Sequence, residues 1–137
     1  MARTHTLQKH ERLKSKKLID RLFSEGHSLY AHPIKLLYLS ISPEDLADSS
    51  AASPLIFGVT VPKKRFPLSP DRNLIKRRIR EAYRLHKLPL QEKLAARNVT
   101  VCLMCIYARQ EKGEYAVIEK GVKKLLKKLD ENLFADT

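Results

Sequence analysis

Short helical patterns alternate along the chain with continuous apolar runs that are typical of strands. The first helical pattern begins after Ser15, which can cap it, and ends at Gly26. A short extended piece is expected over 27–30. The run over 34–41 is apolar on both sides and therefore predicts a central strand. Another strand is predicted over 55–61, with its odd-numbered apolar residues on one face.

The second half predicts a helix, a strand and a final helix. The first of these is long, is capped by Asp71 or Asn73 and runs to about Leu88. A polar stretch over 91–97 then leads to a strand over 98–108. The final helix is marked by apolar residues at helical spacing, which are Ile118, Val122, Leu125, Leu126, Leu129 and Leu133.

This order, α-β-β-β-α-β-α, predicts one α+β domain with a single central sheet. The domain is expected to occupy 1–137, with its core at about 12–133 and a mobile, acidic, Ser- and Ala-rich loop at 43–54. Two cysteines are too few for a disulfide framework and suit a reducing compartment, so we expect a cytoplasmic protein. No apolar run approaches the ~18 residues of a membrane span, so no membrane partner is expected.

Positive charge is concentrated in the middle of the chain. The formal net charge is +12, and residues 62–97 alone carry 12 basic and 3 acidic side chains. A solvated surface usually mixes the two signs, whereas a concentrated cationic block suits a polyanion such as nucleic acid. A basic face without a specific partner is the alternative on charge alone.

The long helix concentrates this charge on one side. At ~100° per residue five of its polar residues fall within a sector of about 80°, while Ile75 and Ile79 lie on the opposite side. Guanidinium groups at one-turn spacing repel one another, which favours a bound anion, and their planar fork suits phosphate. A solvated charged face is the alternative. The predicted stripe comprises Asn73, Arg77, Arg80, Arg84 and Lys87, with Lys76 beside it.

Other residues whose side chains could react or bind a metal are interpreted as structural. Cys102 and Cys105 have the spacing of half a zinc ribbon, but side chains three apart in a strand point to opposite faces, so both are expected in the core. His86 is assigned to packing. The sequence pattern does not bring acidic residues together in pairs, as acid–base catalysis or metal binding would require. Neither catalytic residues nor metal ligands are therefore predicted in the polypeptide. The lysines of the final helix are interpreted as a solvated face; they are Lys120, Lys123, Lys124, Lys127 and Lys128.

The strand, basic loop and basic helix together resemble the protein subunit of bacterial ribonuclease P. The residues that carry the resemblance are Phe57-Gly-Val-Thr-Val-Pro-Lys-Lys64 and Asp71-Arg-Asn-Leu-Ile-Lys-Arg-Arg-Ile-Arg-Glu81. The likeness extends over about 12–133. Two positions depart from the family pattern, namely Leu74 in the helix signature and Ile19 where an aromatic residue is usual.

The resemblance implies a fold like the second domain of ribosomal protein S5, with a left-handed βαβ crossover. It also implies a function in transfer RNA maturation, as part of an endonuclease. A large RNA subunit with bound Mg²⁺ would cleave the 5′ leader from precursor transfer RNA. The protein would bind that RNA and the leader, and its expected partners include neither membrane nor DNA.

Site residues follow from the resemblance and from the charge pattern. The resemblance carries RNA binding to Lys63, Lys64, Arg72, Asn73, Lys76, Arg77 and Arg80, and the loop and stripe add Arg65 and Arg84. The resemblance also implies a cleft between the first helix and the sheet that receives the single-stranded leader. Its residues would be Ile19, Phe23, Tyr38 and Arg109, which could stack on bases and neutralise phosphates. Core packing is the alternative for Phe23 and Tyr38.

Two other classes of protein share part of this pattern. A structural RNA-binding protein of ribosomal type would share the charge and the fold, but it would not need an aromatic groove for a single strand. A helix-turn-helix DNA-binding protein would need a second helix directly before the basic one. The predicted strand and the loop over 62–70 occupy that place, so this class is excluded.

Overall fold

The computed structural model describes residues 12–42 and 54–134, and all structural statements below refer to these ranges. Except for Pro54, the predicted mobile loop at 43–54 lies outside them. The described elements are α1 (Lys16–Glu25), β1 (His27–Ala31), β2 (Ile34–Ile41), β3 (Leu55–Thr60), α2 (Ser69–His86), α3 (Leu88–Ala96), β4 (Thr100–Tyr107) and α4 (Tyr115–Leu133).

The four described strands form one mixed sheet in the order β1-β2-β4-β3. β1 pairs with β2 and β2 pairs with β4 in antiparallel fashion, whereas β3 and β4 are parallel. The prediction that β2 is an interior strand is thus confirmed. The parallel pair requires a crossover connection, which α2 and α3 provide. The left-handedness of that crossover stays a prediction from the resemblance.

The two faces of the sheet bury separate apolar cores. The larger core lies between the sheet and the helices α2, α3 and α4, and we call this side the α2/α4 face. The smaller core lies between the sheet and α1, and we call this side the α1 face. Successive strand residues point to opposite faces, so Leu36 lies on the α2/α4 face while Leu37 lies on the α1 face.

The ends of α1 are as predicted. The Ser15 hydroxyl oxygen accepts a hydrogen bond from the Leu18 backbone N–H at 3.3 Å, satisfying one of the free donors of the first turn. At the other end, the backbone N–H of Gly26 bonds to the Leu22 carbonyl. A Cβ at Gly26 would lie 2.3 Å from that carbonyl oxygen, so only glycine fits this close approach.

Two predictions about the central region are wrong. α2 begins at Ser69, with Leu68 as its N-cap, so neither Asp71 nor Asn73 is the cap. The predicted order of elements has no helix at the polar stretch over 91–97, whereas α3 covers most of it. In both helices a proline occupies the first turn, where its missing N–H costs no intrahelical bond. None of the described helices is long and apolar enough to span a membrane.

The two cysteines lie in the core, as their spacing in a strand predicts. Cys102 belongs to the apolar cluster on the α1 face and Cys105 to the cluster on the α2/α4 face. Burial raises the pKa of each thiol to about 12. Both side chains therefore act as small apolar groups in the folded protein.

We expect neither thiol to react with Ellman's reagent in the native protein at pH 8. With a pKa about four units above that pH, only roughly one thiol in ten thousand is present as the reactive thiolate. Both cysteines should react within minutes after unfolding in guanidinium chloride. Rapid release of the chromophore from the folded protein would contradict their burial.

Candidate nucleic-acid interface

α2 packs its apolar side onto the sheet and presents its basic side to solvent. Ile75 and Ile79 are fully buried, and the ring of Tyr83 stacks on Phe57 of β3 with 3.9 Å between ring centroids. The opposite side carries Asn73, Arg77 and Arg80, which are exposed. The helical spacing therefore produces the predicted stripe over most of its length.

The stripe forms one wall of a basic groove, which we define by its lining residues Arg12, Asn73, Arg77, Arg80, Glu81 and Arg84. The groove encloses about 470 Å³. Burial, and secondly the charge of Arg12, lower the pKa of Arg80. This repulsion between guanidinium groups would be relieved by an anion lying between them. The groove is therefore suited to phosphate.

One acidic side chain lies in the groove and is neutralised there. Glu81 accepts hydrogen bonds from the guanidinium of Arg84, the shorter at 2.7 Å. This contact lowers the pKa of Glu81 and raises the pKa of Arg84. Among the described residues neither Arg77 nor Arg80 forms an ion pair. The charge available to a ligand therefore comes mainly from Arg77, Arg80 and Arg12.

Arg12 reaches the groove because the chain before α1 runs along the edge of the sheet. Arg12 pairs with Phe57 in a parallel bridge, and the Leu13 N–H donates to the Phe57 carbonyl at 2.7 Å. A Cβ at Gly58 would lie 3.2 Å from the side chain of Leu13 and 3.1 Å from Met104, so glycine permits this approach. Arg12 was not among the predicted site residues, although a glycine within a strand is a signal of close approach.

The basic loop before α2 contributes exposed lysines, and two arginines, Arg65 of the loop and Arg72 of α2, hold it in place. Lys63 and Lys64 are exposed. Arg65 donates to the Ala108 carbonyl at 2.9 Å, at the end of β4. Arg72 donates to the carbonyls of Phe66 and Pro67, both at 2.8 Å, and to the Ser69 hydroxyl. The guanidiniums of both arginines position the loop, and contact of either with RNA stays a prediction.

The last residue of the predicted stripe does not belong to the exposed surface. Lys87 was placed on it by helical spacing, but its exposed fraction is 1%. It is the C-cap of α2 and also the N-cap of α3. The chain turns directly into the next helix at this point and covers the lysine, so this prediction is wrong. Lys76, predicted beside the stripe, is half-buried.

A second cavity lies on the α1 face, next to the groove. It encloses about 420 Å³ and its lining includes Lys14, Ile19, Val59, Arg80 and Met104, as well as Arg12. Arg12 and Arg80 thus line both spaces, which joins them into one basic region. Ile19 was predicted in a cleft between α1 and the sheet, and its position agrees with that geometry. Phe23, on the same helix, is 55% exposed and is available for stacking.

Tyr38 does not belong to this cleft, and its assignment is wrong. It lies on the α2/α4 face, where Asn132 of α4 donates to its hydroxyl at 3.4 Å and His27 contacts its ring. Because β2 is apolar on both faces, its sequence pattern does not show which face a given residue occupies. Arg109 follows β4 and is paired with Glu111 at 3.7 Å; its role at the leader stays a prediction.

Other polar side chains join α2 to α4 and to the segment before α4. His86 Nε2 lies 2.8 Å from a carboxylate oxygen of Glu119 and thereby joins α2 to α4. Arg78 donates to the Gly113 carbonyl at 2.5 Å, and Lys112 donates to Asp71 at 3.0 Å. Within ranges 12–42 and 54–134, no three His, Cys, Asp or Glu side chains are grouped so that they could hold a metal ion.

Comparisons with known proteins agree on one family. The family model described as ribonuclease P matches residues 7–130. The ribonuclease P protein component of Porphyromonas gingivalis is 32% identical over 130 residues, covering 95% of this chain and 90% of that protein. The Chlorobaculum tepidum component is 40% identical over 93 residues, covering 68% of this chain and 58% of that protein.

A solved structure with a similar fold is also that of an RNase P protein. The solved structure of the Staphylococcus aureus RNase P protein matches with a TM-score of 0.63 and 22% sequence identity. The match covers 87% of this chain and 94% of that one. The α+β fold with a single mixed sheet is therefore confirmed.

Proposed function

The chain belongs to the ribonuclease P protein family, and from this premise we propose that it is the protein subunit of a ribonucleoprotein that removes the 5′ leader from precursor transfer RNA. Its partners would be the catalytic RNA and the precursor, and its compartment the cytoplasm. The observation that carries the proposal is the convergence of Arg12, Arg77 and Arg80 in one groove.

The catalytic RNA is proposed to bind along the basic groove and the loop before α2. Structured RNA presents phosphates at regular spacing, and guanidinium groups one helical turn apart can each bind one. Lys63 and Lys64 lie exposed in that loop and extend the charged surface beyond the groove. Such contacts fix the position of the protein on the RNA without reading its sequence.

The 5′ leader is proposed to bind in the cavity on the α1 face. A single strand needs an apolar surface for its bases and cations for its phosphates. Ile19 and Met104 provide the first, while Lys14 and Arg80 provide the second. Phe23 on the exposed side of α1 would add a stacking surface. Since Arg80 lines both spaces, the leader would lie beside the catalytic RNA.

Bond cleavage is assigned to the RNA subunit and its Mg²⁺ ions. Magnesium is bound by clustered oxygen ligands, usually carboxylates. The described residues provide no such cluster, so they do not fit a protein-held magnesium site. The role proposed for this chain is to bind RNA and to place the leader. A structural RNA-binding protein would need only the groove, whereas the adjoining cavity, with its apolar and basic lining, suits a single strand and favours ribonuclease P.

The proposal is tested by reconstitution with a bacterial ribonuclease P RNA. The protein alone should not cut precursor transfer RNA, whereas its addition to the RNA at low Mg²⁺ should raise correct 5′ cleavage. Phe23→Ala should weaken binding of a precursor with a long leader by roughly 5-fold to 100-fold, because one stacking contact is lost. The measurements are cleavage rate and substrate Kd.

A precursor with a one-nucleotide leader provides the control, since it should be unaffected by Phe23→Ala. Val117→Ala, which removes an exposed apolar side chain from α4, is the matched variant and should behave as the wild type. If the protein raises neither cleavage nor leader affinity, the proposed function is wrong.

A further inference from the structure

A row of four paired residues crosses the α1 face of the sheet, from the β3 edge to the β1 edge. In this order the residues are Thr60, Ile106, Lys35 and Tyr30. Neighbouring strands lie about 4.8 Å apart, so the row is roughly 14 Å long. Thr60 and Ile106 are half-buried, whereas Lys35 is exposed and Tyr30 is 48% exposed. The described part of the chain therefore leaves the β1 end of the row uncovered.

The ring of Tyr30 lies on this face because strand residues alternate. Its neighbours Leu29 and Ala31 pack into the core of the α2/α4 face, so Tyr30 points the other way. Leu36 belongs to that same core, which places Lys35 beside Tyr30 on the α1 face. The Cβ atoms of directly paired residues are about 5 Å apart. An exposed aromatic ring and an ammonium group are thus neighbours at the edge of the sheet.

The other end of the row opens into the cavity proposed for the leader. Thr60 lines that cavity together with Ile19 of α1. The helix crosses the sheet in the same direction as the row, because it begins after Leu13, which bonds to β3, and ends directly before β1. Ile19 and Phe23 are one turn apart and lie on the same side of α1. They form the wall of a trough whose floor is the row, and we call it the sheet trough.

The sheet trough carries no acidic side chain among the described residues. None of the four strands contains Asp or Glu. At ~100° per residue, Asp20 of α1 lies opposite the buried Leu18 and Leu22 and so points away from the sheet. Glu25 lies on the other flank of the helix, where it pairs with Arg21 at 3.5 Å. Nothing described in the trough would therefore repel a polyanion.

We propose that the 5′ leader continues from the cavity along the sheet trough, with a base stacked on Tyr30 and an adjacent phosphate bound by Lys35. Lys35 forms no ion pair with any described residue, so its charge is available. The ring provides the flat apolar surface that a base of any sequence requires. The inference rests on the proposed function, which supplies the strand.

The geometry also assigns a direction to the leader. Arg80 lines both the cavity and the groove proposed for the catalytic RNA, so the cavity would hold the nucleotides nearest the cleavage site. Tyr30, at the opposite edge of the sheet, would contact nucleotides farther from that site. Its ring therefore extends the length of leader that the protein binds.

The test is a series of precursors whose leaders lengthen by one nucleotide at a time, bound to the reconstituted holoenzyme. Wild-type affinity should rise with leader length and level off once the leader reaches Tyr30. Tyr30→Thr removes the ring but keeps a residue that favours strands. It should match the wild type with short leaders, bind long ones roughly 5-fold to 100-fold more weakly, and level off at a shorter leader. Tyr30→Phe, which keeps the ring, should bind as the wild type does.

Lys35→Ala and Lys124→Ala form a matched pair for the charge. Each removes one exposed ammonium group, but Lys124 belongs to α4, on the other face of the sheet. We expect Lys35→Ala to weaken binding of long leaders by roughly 2-fold to 10-fold, the effect of one hydrogen bond, and Lys124→Ala to leave it unchanged. Equal effects would mean that net charge alone acts and would overturn the phosphate contact.

The outcomes separate this inference from the proposed function. If reconstitution succeeds and Tyr30→Thr binds every leader as the wild type does, the inference is wrong and the function stands. An equal loss at all lengths, the one-nucleotide leader included, would also overturn the inference, since Tyr30 would then act on the fold or on the RNA subunit.

A second measurement does not need the holoenzyme. In an NMR titration of the full ¹⁵N-labelled chain with octauridylate, amide shifts are expected at 19–23 and at 28–37, and Tyr30→Thr should weaken the binding. Shifts at Tyr30 and Lys35 in a chain that fails reconstitution would support the single-strand site and refute the function. Absence of both the shifts and the leader-length effect would overturn the inference.

Discussion

Replacement of both Arg77 and Arg80 by alanine is expected to weaken binding of the catalytic RNA by roughly 30-fold to 1000-fold. Each arginine would lose a charge-assisted hydrogen bond to phosphate, worth about 1.5–3 kcal/mol, with incomplete additivity. The dependence of affinity on salt should also flatten, by up to roughly 0.7–0.9 in slope per lost phosphate contact. Filter binding over a range of salt concentrations measures both effects.

Removal of the whole ion pair, by Glu81→Ala together with Arg84→Ala, is the matched control on the same helix. The two charges cancel each other, so the loss of both should reduce affinity by a smaller factor than Arg77→Ala with Arg80→Ala. Thermal unfolding should show that the Arg77→Ala, Arg80→Ala variant remains folded, because both side chains are exposed. An unchanged salt slope in that variant, once it is shown to be folded, would mean that the groove does not bind phosphate.

Substitution of Gly121 by valine is expected to reduce the free energy of unfolding by about 2–4 kcal/mol. A Cβ at this position of α4 would lie 2.6 Å from the His32 carbonyl oxygen and 3.0 Å from Pro33. Those atoms belong to the turn between β1 and β2, so the helix or the hairpin would have to move. The melting temperature should fall by roughly 10 °C, as measured by calorimetry.

Gly121→Ala tests whether the added methyl group raises or lowers the stability of the protein. Alanine favours a helix over glycine by about 1 kcal/mol, so a position with free space would become more stable. Here the contact with backbone should outweigh that gain and reduce stability. Val117→Ala, on the exposed side of the same helix, should change the melting temperature by only a degree or two. A stabilised Gly121→Ala variant would refute the close packing of α4 on the hairpin.

Local signals predicted much of the fold. The cap at Ser15 and the stop at Gly26 define α1 because each satisfies, or sterically requires, a specific backbone contact. β2 was recognised as interior because a strand covered on both sides needs no polar face. The basic side of α2 followed from helical spacing, since Ile75 and Ile79 must be buried on the opposite side.

The errors occurred where tertiary packing decides the outcome. The long helix was expected to run to about Leu88, although Leu88 and Pro89 lie in the first turn of the next one. Lys87 is covered because those two helices share it as a cap, which helical spacing cannot reveal. Tyr38 was assigned to the wrong side because a doubly buried strand carries no alternation. Arg12 joins the groove through strand pairing with Phe57, a contact between residues distant in sequence.

The strand order has a consequence for how the protein is made on the ribosome. β1 and β2 are adjacent in sequence and can pair as soon as they emerge, but β3 borders only β4 within the sheet. β3 must therefore wait, with its apolar residues uncovered, until residues 100–107 have been synthesised. During that interval the nascent chain is exposed to misassociation, and chaperone binding should be strongest there.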